Sequence, residues 1–162
     1  MQNISWSSAY CNNDYFMGIH TCSGFRTSAY DPNGKQHFLN IDDSDETLGL
    51  ALLDSLAHSR FLSLEEVSLF FDYKLVAQRY SQWVTMLING FNYPNKKALF
   101  KHMKWCNIEM QNHLIKIKPL HHQKLEGWGR EKGDGTEDVF IEATRPASEI
   151  GVALREAFTR CR

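Results

Sequence analysis

Ile4 to Tyr10 alternates apolar and polar positions as a half-buried strand does, and Tyr15 to Cys22 returns in the same way after Asn12, Asn13 and Asp14. The chain therefore opens on a predicted β-hairpin. Ser23 to Gln36 is dense in turn residues and reads as a loop, and Phe38 to Ile41 as a third strand. Asp43, with Glu46 three residues on, forms a capping box for a helix running to about Arg60, whose buried face carries Leu48, Leu52 and Leu56. Ser63 with Glu66 opens a short second helix. A longer one puts Val76, Tyr80, Trp83, Val84, Leu87 and Phe91 on one apolar stripe before Gly90 and Pro94 stop it. Phe100 to Met110 and His113 to Lys118 then predict a second hairpin. A glycine-rich loop "GWGREKGDGT", a strand from Asp138 to Ala143 and a closing helix from about Ser148 follow.

The last part of this pattern restates an earlier part. Residues 37–60 align without a gap on residues 139–162, and five of the 24 columns are identical: Phe38 with Phe140, Gly49 with Gly151, Ala51 with Ala153, Leu52 with Leu154 and Arg60 with Arg162. Leu39 with Ile141, Leu48 with Ile150 and Leu56 with Phe158 keep apolar character. The shared columns are mostly core-type residues without catalytic chemistry, so the repeat is architectural. The expected fold class is α+β: two β-β-β-α units, mainly antiparallel, at 1–60 and about 100–162, with a helical insert at 63–91, all within a single domain of residues 1–162. Each unit alone would leave one sheet face wet, so the two must pack together.

Composition narrows the class. With 162 residues, 43% of them apolar and 12% aromatic, the chain can bury a core without staples and is not disordered. No apolar run reaches the 18 or so residues of a membrane span, and Met1 to Tyr10 lacks the basic start and apolar stretch of an export signal. A cytoplasmic protein without membrane contact is expected. Cys11, Cys22, Cys106 and Cys161 are scattered, without the spacing of a zinc or redox motif, which predicts reduced and mostly buried thiols.

Net charge is only −1, yet it is sorted along the chain. Asp42 to Asp72 holds eight carboxylates against Arg60 alone, a balance of −7; Lys74 to Lys124 holds nine Lys or Arg against Glu109 alone, a balance of +8. Such a swing predicts a surface with an acidic and a basic side, suited to steering a charged macromolecule.

Candidate chemistry is sparse. His121, His122 and Glu126 form the most suspicious cluster, because His122 and Glu126 stand at helical spacing and could meet a metal or exchange a proton, but no third ligand stands at a recognisable spacing. His20 and Cys22 share a strand face, without an acid or an oxyanion motif, and read as a core histidine beside a buried thiol. No catalytic residue, metal or cofactor is expected. The basic run "NKKALFKHMKW" interleaves lysines with Phe100 and Trp105 as a nucleic-acid surface would, but on a strand its lysines fall on both faces. A nucleic-acid-binding module using residues 95–118 is therefore the alternative function.

The runs "ALFKHMKWCNIEMQNHLIKIKPLHHQKLEGW", "CNNDYFMGIHTCSGF", "SDETLGLALLDSLAHSR" and "EIGVALREAFTRC" resemble the immunity proteins of bacterial contact-dependent growth inhibition, the CdiI family. The resemblance covers most of the chain and is weakest from Gly129 to Asp138. It implies a cytoplasmic, non-enzymatic protein that binds and neutralises a cognate CdiA-type C-terminal toxin domain, often a nuclease, and a fold like the Whirly type. Direct nucleic-acid binding is not expected. The family offers no catalytic residues to carry over, so the partner surface is argued from charge and exposure. Asp42, Asp43, Asp45, Glu46 and Asp54 are the candidates in the acidic block, and His122, Glu126 and Trp128 form a second group.

Overall fold

The computed structural model describes residues 3–12 and 15–162, so Asn13 and Asp14 of the first expected turn lie outside the described residues. β1 (Ser5–Asn12) pairs antiparallel with β2 (Phe16–Gly24). β3 (Ser28–Tyr30) pairs with Cys22 to Gly24, and β4 (Gln36–Leu39) with Met17 to His20, along the other edge of β2. Ser28 to Tyr30 thus lies in a stretch expected to be loop. The open edge of β2 supplies hydrogen-bond partners that local turn propensity does not reveal.

α1 (Asp45–Ala57), α2 (Leu64–Phe70), α3 (Tyr73–Gly90) and α4 (Lys96–Phe100) lead to β5 (Met103–Gln111). β6 (Leu114–Pro119), the ribbon of β7 (His121–Lys124) and β8 (Gly127–Gly129), β9 (Val139–Glu142) and α5 (Ala147–Thr159) complete the chain. Asn112 and His113 turn β5 into β6 with φ of 53° and 61°. Two consecutive left-handed residues make the tight hairpin loop whose twist matches its strands. β1 also pairs antiparallel with β5, so among the described residues both strand sets merge into one seven-stranded sheet, β3-β2-β1-β5-β6-β9, with β4 beside β2. The fold is α+β, with a mostly antiparallel sheet.

Strand alternation sorts the core into two layers. Ala9, Cys11, Met17, Ile19, Cys106, Ile108, Ile115 and Ile117 face α1 and α5. Tyr10, Phe16 and Met103 point the other way, onto Trp83, Val84 and Leu87 of α3 and Leu99 and Phe100 of α4. α1 and α5 cross at the repeated glycines. A Cβ on Gly49 would overlap the carbonyl oxygen of Ala147, and a Cβ on Gly151 that of Asp45. Each glycine meets the residue four positions before the other, so the contact is reciprocal.

Local chemistry sets the boundaries. Ser44, not Asp43, caps α1: its Oγ accepts the Thr47 N–H at 3.1 Å, and Asp43 instead accepts the Asn40 N–H at 2.9 Å. The capping box expected at Asp43 and Glu46 is therefore absent. The one expected at Ser63 is present, with Ser63 N–H donating to Glu66 at 2.8 Å and Glu66 N–H to Ser63 Oγ at 3.3 Å. Phe100 ends a helix rather than starting a strand, because Asn95 Oδ1 accepts the Ala98 N–H at 2.9 Å and caps α4.

Candidate partner-binding site

On the α3 side of the sheet a groove of about 460 Å3 runs between α3, β3 and the β7–β8 ribbon. Ser8, His20, Cys22, Trp105 and Asn107 lie in its floor, because they occupy alternate positions on three neighbouring strands. Val76, Arg79, Tyr80 and Trp83 form the helical wall, and Glu126, Gly127 and Trp128 the opposite one. Of the stripe read as core on α3, only Trp83, Val84 and Leu87 are fully buried. Its first turns line the groove, and Tyr80 is 37% exposed.

Indole and phenol donors hold the floor and walls in place. Trp83 Nε1–H donates to Tyr10 Oη at 3.2 Å, Trp105 Nε1–H to Asn107 Oδ1 at 3.1 Å and Trp128 Nε1–H to the Met103 carbonyl at 2.9 Å. Tyr80 Oη–H donates to Glu126 at 2.6 Å, and Lys96 Nζ stands 3.5 Å from the same carboxylate. Burial first, then the hydrogen bond to Glu126 and last its charge, push the Tyr80 phenol up and keep it a donor. This contact bridges α3 to the ribbon across 46 residues of sequence. His20 is 3% exposed, its Nδ1 has no hydrogen-bond partner among the described residues, and burial pushes its pKa down to about 3. It is a neutral imidazole. Burial likewise pushes the Cys22 thiol up to about 12, so the pair is an inert floor rather than a nucleophile and its base.

His122 and Glu126 are not on a helix: β7 and the turn after it carry them. The His122 ring stacks on Trp128 with centroids 4.7 Å apart and 10° between planes, while Nε2–H donates to the Leu125 carbonyl at 2.8 Å. His122 and Glu126 are thus held by different partners. Among the described residues no group of three or more His, Cys, Asp or Glu could hold a metal ion.

The acidic candidates lie on and before α1, on the opposite side of the sheet, so the two sets do not form one surface. Three of the five are already engaged. Asp45 pairs with Arg155 of α5 at 2.8 Å, and the same guanidinium donates to the carbonyls of Ile41, at 2.8 Å, and Asp43. Asp54 holds His37 at 2.7 Å and His58 at 3.5 Å, and Asp43 closes its own turn. Asp42 and Glu46 are exposed, with no side-chain hydrogen bond or ion pair among the described residues. The basic run is likewise dispersed. Lys96 and Lys97 belong to α4, Lys101 to the turn after it and Lys104 to the α5 side of β5, so no strand face interleaves them with aromatic rings.

The model of the CDI immunity protein family, CdiI, matches residues 5–161. With that coverage the class is settled: the chain belongs to the CDI immunity proteins. Immunity protein CdiI-YPIII of Yersinia pseudotuberculosis serotype O:3 (strain YPIII) is 36% identical over 170 residues, 98% of this chain and 96% of that protein. The structure is similar, at TM-score 0.91 and 35% identity, to a chain of the CdiA-CT/CdiI toxin and immunity complex from Yersinia pseudotuberculosis, covering 99% of this chain and 98% of that one. A protein of unknown function from Neisseria meningitidis matches at TM-score 0.92 and 36% identity, covering 99% of this chain and 96% of that one.

Proposed function

We propose that this chain is the cytoplasmic immunity partner of a CdiA-type C-terminal toxin domain and acts by binding alone, without catalysis. The observation that carries the reading is the end-to-end match to a curated immunity protein and to a chain of a toxin and immunity complex. Among the described residues no helix is long and apolar enough to cross a membrane, which agrees with it.

The groove supports a docking role. It is concave, walled by Tyr80, Trp83 and Trp128, and carries Glu126 at its rim, the mix of aromatic anchor and placed charge that concentrates binding energy. Asp42 and Glu46 add an unneutralised negative field on the other side, which acts on the approach of a basic partner rather than on contact. A nuclease is the toxin class this charge fits, because an enzyme that holds a phosphate backbone presents a basic cleft. The outer edge of β9 has no partner strand among the described residues and offers backbone groups for strand addition. We read residues 1–60 and about 100–162 as an internal pseudo-repeat of Whirly-like form within one domain. The reciprocal Gly49 and Gly151 contact supports that reading.

The test pairs the chain with its cognate toxin domain in a nuclease assay. An equimolar amount of the chain should abolish nucleic-acid cleavage, while the chain alone should neither cleave nor retain random DNA or RNA across a salt series. Trp128→Ala should speed dissociation, and Asp42→Lys with Glu46→Lys should slow association at low salt by about tenfold. Unchanged toxin activity in the presence of excess chain would overturn the immunity reading. Unchanged rates in both variants would move the docking surface elsewhere.

A further inference from the structure

Cysteines that are far apart in sequence meet in space. Cys106 Sγ on β5 lies 3.7 Å from Cys161 Sγ, two residues past the end of α5. The contact follows from the layering, since Cys106 is on the β5 face that α5 covers and Cys161 packs against that same core. Access to the two sulfurs is unequal: Cys106 is 0% exposed, and Cys161 is only partly buried. Their acidity differs in the same direction. Cys106 S–H lies within reach to donate to the Cys161 sulfur, and the positive field of Lys104 adds to this, so Cys161 is the more readily ionised thiol; burial pushes Cys106 up. Lys104 stands two residues before Cys106 on the same strand face. An outer sulfur that ionises, a protonated one behind it and an ammonium beside them are the parts of an oxidant-responsive dithiol.

We propose that Cys161 and Cys106 are a peroxide-sensitive pair whose oxidation staples the carboxyl-terminal segment to the centre of the sheet. The Cys161 thiolate attacks hydrogen peroxide; the O–O bond breaks, the sulfur becomes a sulfenic acid, and the departing hydroxide takes a proton to become water. Cys106 loses its proton and attacks the sulfenic sulfur; the S–O bond breaks, the S–S bond forms, and the proton leaves with the hydroxide as a second water. Two thiols and one peroxide give one disulfide and two waters. The sulfurs must close from 3.7 Å to about 2.05 Å. Movement of the residues after Thr159, where α5 ends, can supply this.

The staple has a structural consequence. Arg162, next to Cys161, donates its N–H to the Leu120 carbonyl at 3.4 Å and accepts the His122 N–H at 2.6 Å. The carboxyl-terminal residue thereby holds the start of the ribbon that walls the groove, and a disulfide beside it fixes that wall to β5.

Cys11 and Cys22 are internal controls, because both are 4% exposed and burial pushes both thiols up to about 12. Reduced, full-length native protein is exposed to hydrogen peroxide, quenched with iodoacetamide and mapped by peptide mass spectrometry without reduction. A Cys106–Cys161 cross-linked peptide, lighter by two hydrogens, is expected, with Cys161 losing alkylation at least about tenfold faster than Cys11 or Cys22. Cys106→Ser should leave Cys161 as a sulfenic acid that dimedone captures, and Cys161→Ser should leave Cys106 reduced. Circular dichroism confirms the fold of each variant, and Cys106→Ala replaces the serine variant if that one fails to fold. Absence of the cross-link in the unsubstituted protein, or oxidation of Cys11 or Cys22 at the rate of Cys161, overturns the proposal.

Discussion

His20 lies among the rings of Tyr10, Tyr30 and Trp83, and the environment that keeps it neutral makes the fold acid-labile. Its folded pKa of about 3 is below the unfolded value of 6.5, so between these values the unfolded chain binds a proton that the folded chain refuses. Stability is complete above pH 6.5 and should fall by up to about 1.4 kcal/mol for each pH unit below it, down to about pH 3. Asp31 adds a smaller loss further down. Burial raises its pKa, but the Arg60 guanidinium at 2.9 Å, the Ser23 hydroxyl and the Asn33 N–H outweigh burial and hold it below the ordinary 3.8. Its contribution is present above 3.8 and is lost as pH falls through the lowered value. Urea unfolding of the parent and His20→Gln between pH 7 and 4 tests the assignment, and the variant should give a flatter profile. Trp83 is a second residue whose effect follows from its surroundings: it is 4% exposed, contacts Tyr10, Phe100 and Trp105, and donates to Tyr10. Trp83→Ala should destabilise by about 3 to 5 kcal/mol through the cavity it leaves. A change under about 1 kcal/mol would mean that the groove wall collapses without loss.

At the scale of elements, the α1–α5 crossing turns the repeated glycines into a measurable quantity. Helix propensity alone favours Ala over Gly by about 1 kcal/mol, whereas forcing a methyl into a carbonyl oxygen costs about 1 to 3 kcal/mol. The clash should win: Gly49→Ala and Gly151→Ala should each lower stability, and the double variant should be non-additive because the two sites share one contact. Stabilisation by either substitution, measured as a higher urea midpoint at unchanged slope, would show that the helices can separate freely. The same crossing indicates how much was legible in the sequence. The columns Gly49 with Gly151 and Leu52 with Leu154 marked the contact in advance, because close packing restricts residue type. Ser63 with Glu66 and the strand–helix order around Phe38 and Phe140 were legible for similarly local reasons. Contacts whose partners are distant in sequence were not. Nothing near Asp45 announces Arg155, nothing near Tyr80 announces Glu126, and nothing in the spacing of the cysteines brings Cys161 to Cys106. The acidic run therefore read as a free surface, although Arg155 and the two histidines occupy much of it.

For the whole molecule, the decisive feature is the β1–β5 seam. β1 pairs with β5 over eight residues, from Ser5–Met110 to Asn12–Met103, so the amino-terminal and carboxyl-terminal strands share one sheet rather than two packed ones. The layer beneath is shared too, because Leu48, Leu52 and Leu56 of α1 belong to the same core as Ile150, Leu154 and Phe158 of α5. Cutting the chain in the loop before α4 would therefore expose both edges of the seam and unpair both helices. A fragment of residues 95–162 would keep β5, β6, β9 and α5 but lose α1 from its core and β1 from its edge. Three or more strands with one covered face are the minimum for independent stability, and on the α1–α5 face of this fragment only α5 would remain to cover them. It should be unfolded alone by circular dichroism and amide dispersion. The fragment of residues 1–94 should be unfolded as well, and mixing the two should restore native spectra if the seam re-forms. The intact chain should unfold in one transition, with tryptophan fluorescence and far-ultraviolet dichroism coinciding. A cooperative transition in the isolated carboxyl-terminal fragment would mean that the two units are separate domains and that the seam is a docking contact between them.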